Sequence, residues 1–253
     1  MHGMVMAAAL GIASVSQAQP QQRAEKIETA PAARKVTLTA RDGVTVFGDY
    51  YAAPRPRALI VLFHQAGSSA GEYRTIAPRL VAAGYSALAI DQRSGGGMYG
   101  PNRTVAKLGK SADYLEARPD MQAALDWAAA KRVPVAIWGS SYSAALVFPL
   151  AAANPGKVKA VLAFSPGEYF DDKTLVSRAA TKVTTPVYVT SALDARDVTR
   201  ADSVFNATAS TARTRYVPKA GVHGSSTLIA AKNPAGAETN WTSVLAFLKK
   251  TLG

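Results

Sequence analysis

"VPVAIWGSSYSAAL", residues 133–146, passes without a break from one kind of patterning to another. Its first seven residues are almost wholly apolar and rich in valine and isoleucine, as in a strand buried on both faces. From Tyr142 to about Ala153 the pattern is helical, with a kink predicted at Pro149. Where a strand turns at once into a helix, small residues are needed two positions before and after the apex, so that the helix can leave close to the strand. Three serines compete for the apex, and only Ser141 has glycine two places before it, in Gly139-Ser140-Ser141-Tyr142-Ser143. A side chain there stands clear of both elements. Ser141 is therefore the candidate nucleophile, Gly139 and Ser143 are packing residues, and Ser140 is a spacer. These five residues alone fit a plain small-residue turn equally well.

Outward from this stretch, apolar strands alternate with longer helical patterns. "KVTLTA" (35–40) and "VTVFGDYYA" (44–52) alternate with period two across Arg41-Asp42-Gly43 and predict an antiparallel hairpin. Buried strands are predicted at 58–64, 85–91, 133–139, 158–165 and 186–192, with a short strand at 214–218. Helices are predicted over 70–84, closed by Gly84, and over 118–132, 142–153, 172–182, 200–210 and 240–252. This order implies an α/β fold, a mostly parallel sheet with helices on both faces. No interior linker divides residues 34–253, and the segment 165–186 is too short to be a separate lid domain.

In such a sheet, reactive groups lie beyond the carboxyl ends of the strands. Those ends carry a serine, aspartates and a histidine in that chain order. Of the three histidines, His2 lies in the leader and His64 ends an earlier strand, where it is read as a brace. His223, in "AGVHGSS", remains as the candidate general base. The acid that orients it is assigned to Asp194, the nearer to the strand tip in "PVYVTSALDARDV", with Asp197 the alternative and Asp171 and Asp172 outside choices. Backbone N–H groups of Tyr142, after the nucleophile, and of Gln65, on the loop 64–69, are the candidate oxyanion donors. The glycine-rich stretch 91–104 lacks phosphate-loop spacing and reads as a mobile wall held by Arg93, or as a plain surface loop. Tyr169 and Phe170 in "SPGEYFDD" are candidates to line the substrate pocket, or are ordinary packing.

Composition narrows the classes. The chain has 253 residues and no cysteine, which excludes disulfides, thiolate metal sites and a cysteine nucleophile. No histidine–carboxylate cluster has metal-ligand spacing, and no cofactor motif is present. The formal charge of +12 is spread over single residues and pairs, not a basic stripe, so nucleic-acid binding is not expected. Residues 1–18 hold a short apolar run ending in Ser16-Gln17-Ala18, the small-x-small pattern of a cleaved signal peptide, although no Lys or Arg precedes the run. Export to the periplasm or medium follows if it is cleaved, with 19–33 a tether. The run is too short to span a bilayer, so stable membrane insertion is not expected. The oligomeric state is not legible.

Four motifs together, "LFHQAGSS", "GSSYS", "SALDARD" and "GVHG", resemble those of α/β-hydrolases, and the compact dienelactone-hydrolase-like and small-esterase branches in particular. The likeness covers residues 35–253. It implies an eight-stranded, mostly parallel sheet and acyl transfer to water through an acyl-enzyme on Ser141, with a small-molecule ester as substrate. Dienelactone hydrolases use a cysteine nucleophile, so their own substrate is not carried over. A peptidase, thioesterase or acyltransferase would use the same residues, and a binding protein on a degenerate hydrolase fold is the rival from another class.

Overall fold

Among the described residues eight strands, most of them apolar on one or both faces, assemble into one sheet in the order β1-β2-β4-β3-β5-β6-β7-β8. They are β1 (Arg34–Thr39), β2 (Thr45–Tyr51), β3 (Leu59–Phe63), β4 (Ser86–Ile90), β5 (Val135–Ser140), β6 (Val158–Phe164), β7 (Val187–Thr190) and β8 (Arg213–Tyr216). The hairpin β1–β2 and the β2–β4 pairing are antiparallel; all other pairs are parallel. The computed structural model describes Met1 and residues 32–253; the predicted leader and most of the tether lie outside the described residues. Residues 32–253 form one compact unit.

The central strands alternate between two cores. Leu59, Val61 and Phe63 of β3 and Val135 and Ile137 of β5 face one layer. Ile60, Leu62, Ala136 and Trp138 face the other. The first layer is closed by α3 (Arg118–Ala129), α4 (Tyr142–Ala153), α5 (Leu175–Ala180) and α6 (Ala195–Ala207), the second by α1 (Ile76–Ala82) and α7 (Ala237–Leu252). Each large side chain so buried stabilises the fold by about 1.5–3 kcal/mol relative to exposure. No helix among the described residues is long and apolar enough to cross a membrane.

Three differences from the sequence expectations affect the site. The helix expected at 200–210 starts earlier, at Ala195. A short helix, α2 (Arg103–Leu108), capped by the Asn102 side chain, grows out of the glycine-rich stretch. The helix expected over 70–84 divides into a 3-10 turn, Ala70–Tyr73, and α1.

Candidate active site

β5 delivers Ser141 at a φ of +59°. That left-handed conformation costs a side-chain-bearing residue on the order of 1–3 kcal/mol. The surroundings enforce it: Ser141 N–H donates to Phe164 O of β6 at 2.8 Å while α4 begins at the next residue. A Cβ on Gly139 would stand 2.3 Å from Ser143 O, so glycine is required there. Ser143, where a smaller residue would suffice, uses its hydroxyl: it donates to His64 O at the end of β3 and accepts from Gln92 Nε2 at 2.9 Å.

His223 follows β8, and its Nε2 lies 2.8 Å from Ser141 Oγ. Its Nδ1 lies 3.1 Å from Asp197 Oδ1. With Nδ1–H donated to the carboxylate, Nε2 is left as an acceptor for the serine hydroxyl. The other oxygen of Asp197 accepts from Ser165 Oγ at 2.6 Å and Ala192 N–H at 2.7 Å. Burial alone would push this carboxyl up, but the bonds from His223, Ser165 and Ala192 outweigh burial and hold it below the ordinary aspartate value. Ser165, itself at a φ of +58°, also accepts the N–H of Gly224, next to the histidine, at 2.9 Å. One hydroxyl thus positions both the acid and the loop that bears the imidazole.

Asp194, the acid assigned from sequence, is not the histidine's partner. It is the N-cap of α6, and its side chain accepts Asp197 N–H at 3.0 Å. Asp197, on the first turn of the helix, is 3% exposed and reaches His223. The Gln65 assignment is also corrected. Its N–H points inward and donates to Glu72 Oε2 at 2.8 Å, so it is not free to hold an oxyanion. The next amide, Ala66 N–H, and that of Tyr142 have no protein acceptor among the described residues. Tyr142 places its N–H at the start of α4; its buried ring stacks on Tyr114 and its hydroxyl joins Gln92 and Ser94.

The remaining candidates divide. The Tyr169 hydroxyl donates to Ser165 O at 2.7 Å. Burial, helped by the charge of Asp197, pushes this phenol up to about 12, so it stays a neutral donor. Phe170 belongs to the apolar core and does not line the site. His64 is fully buried and neutral: Gln92 N–H donates to its Nε2 at 3.0 Å, so Nδ1 carries the proton and donates to Gln65 O at 2.8 Å. Burial lowers its pKa, which makes it the expected brace. Of the glycine-rich stretch, Asp91–Ser94 are buried, whereas Gly97 and Met98 are exposed. Arg93 is clamped between Asp120 and Asp42 at 2.6 Å each, and Asp91 accepts from Ala70 N–H and Arg103. The His223 side chain is 42% exposed, so the site opens directly to solvent.

Sequence reasoning missed Ser165 and Glu72 and treated Ser140 as a spacer. Ser165 had a signal, a serine at the tip of β6 beside the elbow strand. Ser140 had none: its hydroxyl donates to Glu72 Oε1 at 2.7 Å and accepts Ser225 N–H at 2.8 Å, contacts that exist only once the chain has folded.

A family model described as serine aminopeptidase, S33, matches residues 54–232. No curated protein matches the chain. Among solved structures, an esterase from Pyrococcus furiosus shares 17% identity at a TM-score of 0.67, covering 87% of this chain and 93% of its own. A cold-adapted esterase from an Arctic intertidal metagenomic library shares 22% at 0.65, covering 90% and 97%. Dienelactone hydrolase from Anabaena variabilis shares 16% at 0.68, covering 88% and 100%. At these identities the likeness is one of fold.

Proposed function

The chain belongs to the serine aminopeptidase S33 family of α/β hydrolases, and from that premise we propose that it cleaves carboxylic esters through an acyl-enzyme on Ser141. The observation that carries this reading is the hydrogen-bonded line from Ser141 through His223 to Asp197. His223 Nε2 takes the proton as Ser141 Oγ attacks the carbonyl carbon, and Asp197 stabilises the imidazolium that results. The carbonyl oxygen, now negative, is held by the N–H groups of Tyr142 and Ala66, and Tyr169 borders the same space. As the tetrahedral centre collapses, the imidazolium returns its proton to the departing alcohol. Water then repeats the sequence on the acyl-enzyme, releasing the acid and restoring Ser141. The open setting of His223 suits short acyl groups or an ester exposed on a larger molecule. Two of the fold neighbours are esterases.

The test pairs a fluorophosphonate with a substrate panel. Labelling should fall on Ser141, and Ser141→Ala should lose labelling and turnover together. Retained turnover in that variant would overturn the assignment. A second reading, peptide or amide cleavage, draws support from the family's description. Matched ester, thioester and amide substrates of one acyl group, with and without a competing alcohol, separate these activities. We also read residues 1–18 as an export leader.

A further inference from the structure

Glu72 sits in the 3-10 turn that follows the β3 loop, and it is only 1% exposed. A carboxylate at such depth ordinarily has a cation beside it. None of the ion pairs among the described residues includes Glu72. Its two oxygens instead face donors from different parts of the site. Oε2 accepts the N–H of Gln65, on the loop that carries Ala66, at 2.8 Å. Oε1 accepts the hydroxyl of Ser140, the residue before the nucleophile, at 2.7 Å. Ser140 Oγ in turn accepts Ser225 N–H, two residues beyond His223, at 2.8 Å.

The two accepted hydrogen bonds favour the ionised form. A carboxylate accepts at both oxygens, whereas a carboxylic acid must donate from one of them. On the Gln65 side a donated proton would meet another N–H. On the Ser140 side it would displace the serine's own proton, leaving that proton without its acceptor. Protonation therefore loosens either the oxyanion loop or the connection to the histidine loop.

We propose that Glu72 is a positioning residue of the hydrolytic reaction, whose ionised carboxylate holds the oxyanion loop and the His223 loop in register with Ser141. The inference rests on the serine-hydrolase reading above. Glu72 touches no substrate atom; it acts through Gln65 and through Ser140. Burial pushes its pKa up to about 7, against the hydrogen bonds from Gln65, Ser140 and Ser68. The titratable groups that face it are His223 from the base loop, Tyr99 from the glycine-rich loop and Tyr73 on its own turn, with neutral His64 at the head of the oxyanion loop. A positive charge on the His223 side lowers the Glu72 pKa, a smaller effect than burial and the hydrogen bonds. Reactivity then needs two groups deprotonated on the acid side, not one.

The experiment is the pH dependence of fluorophosphonate labelling of Ser141 in the full chain. In the wild type the maximal labelling rate should fall as the second power of proton concentration at the acid end. In Glu72→Gln it should fall as the first power. The maximal rate at neutral pH should drop roughly tenfold or more, as misplacement of reacting groups produces, while the half-saturating reagent concentration is unchanged. Ser140→Ala, which spares the bond to Gln65, should lower the maximal rate less than Glu72→Gln does. A first-power acid limb in the wild type, or a Glu72→Gln rate within about twofold of wild type, overturns the inference. If Glu72→Gln does not fold, the wild-type limb and Ser140→Ala decide. Absence of any Ser141 labelling in the wild type counts against the serine-hydrolase reading and this inference together; labelling that ignores Glu72 counts against the inference alone.

Discussion

Asp194 accepts the backbone N–H of Asp197 at 3.0 Å, and this bond separates the work of two carboxylates three residues apart. Asp194 caps α6 and remains exposed; Asp197, on the first turn, is buried against His223. Replacing each should therefore damage a different property. Asp197→Asn should lower kcat by roughly 10⁴-fold, because an amide no longer enforces the tautomer that leaves Nε2 free. Asp194→Ala should leave kcat within a few-fold and cost about 0.5–2 kcal/mol of stability through the lost cap. Steady-state kinetics with urea unfolding of both variants checks the division, and the reverse pattern would restore Asp194 as the acid.

Ser165→Ala should show how far Asp197 depends on its support. The substitution removes a hydrogen bond to the carboxylate and strands the Gly224 N–H, so kcat should fall by about tenfold, the lower end for a supporting residue. Asp197 is depressed below its ordinary value of 3.8, so its stabilising contribution is present above that pH and lost as pH falls through the folded value. Without Ser165 the folded value rises, and acid unfolding should begin at a higher pH. An unchanged acid midpoint would show that Ser165 does not stabilise the ionised carboxylate.

Gly139→Ala should abolish activity and lower soluble yield. The added Cβ meets backbone, Ser143 O at 2.3 Å and Ala144 N at 2.5 Å, and neither can move without pulling α4 off the sheet. Normal yield and turnover in this variant would mean that the elbow is less tightly packed than described.

Glu72 has a stability signature of the opposite sign to Asp197. Its carboxyl rises from 4.5 to about 7, because burial outweighs its hydrogen bonds. The folded protein then holds a proton that the unfolded chain has released, so this group favours folding most at acid pH and that contribution is lost as pH rises through about 7. Glu72→Gln lacks this titration. Its Tm relative to wild type should rise between about pH 5 and pH 8, by up to a few kcal/mol in stability. Calorimetry at the two pH values reads the sign directly.

Mass spectrometry of protein exported from a bacterial host should find a mature chain beginning at Gln19, if Ser16-Gln17-Ala18 is the cleavage signal. An intact Met1 on exported protein would exclude cleavage there.

Strand–helix alternation was legible because burial on both faces of a parallel strand leaves a local, continuous apolar record, as in "ALIVLFH" and "VPVAIWG". The start of α6 was less so, since Asp194-Ala195-Arg196-Asp197 carries no apolar face, and only its capping geometry marks it as helix. That misplacement left both aspartates in a predicted loop, where nearness to the strand tip was the available criterion. The buried ties of Ser140, Ser165 and Glu72 leave no local pattern, because each joins segments far apart in the chain.

The sequence by itself singled out Ser141 and His223, which the fold places 2.8 Å apart. The elbow obeys a steric rule written in five consecutive residues, and one histidine alone lay past the final strand. Tertiary structure decided which carboxylate meets the imidazole and which amide of the oxyanion loop stays free. Both choices turn on hydrogen-bond direction across 26 residues in one case and seven in the other. A hydrogen bond selects among neighbours by tenths of an ångström, and that precision exists only after the packed sheet has brought the strand ends together.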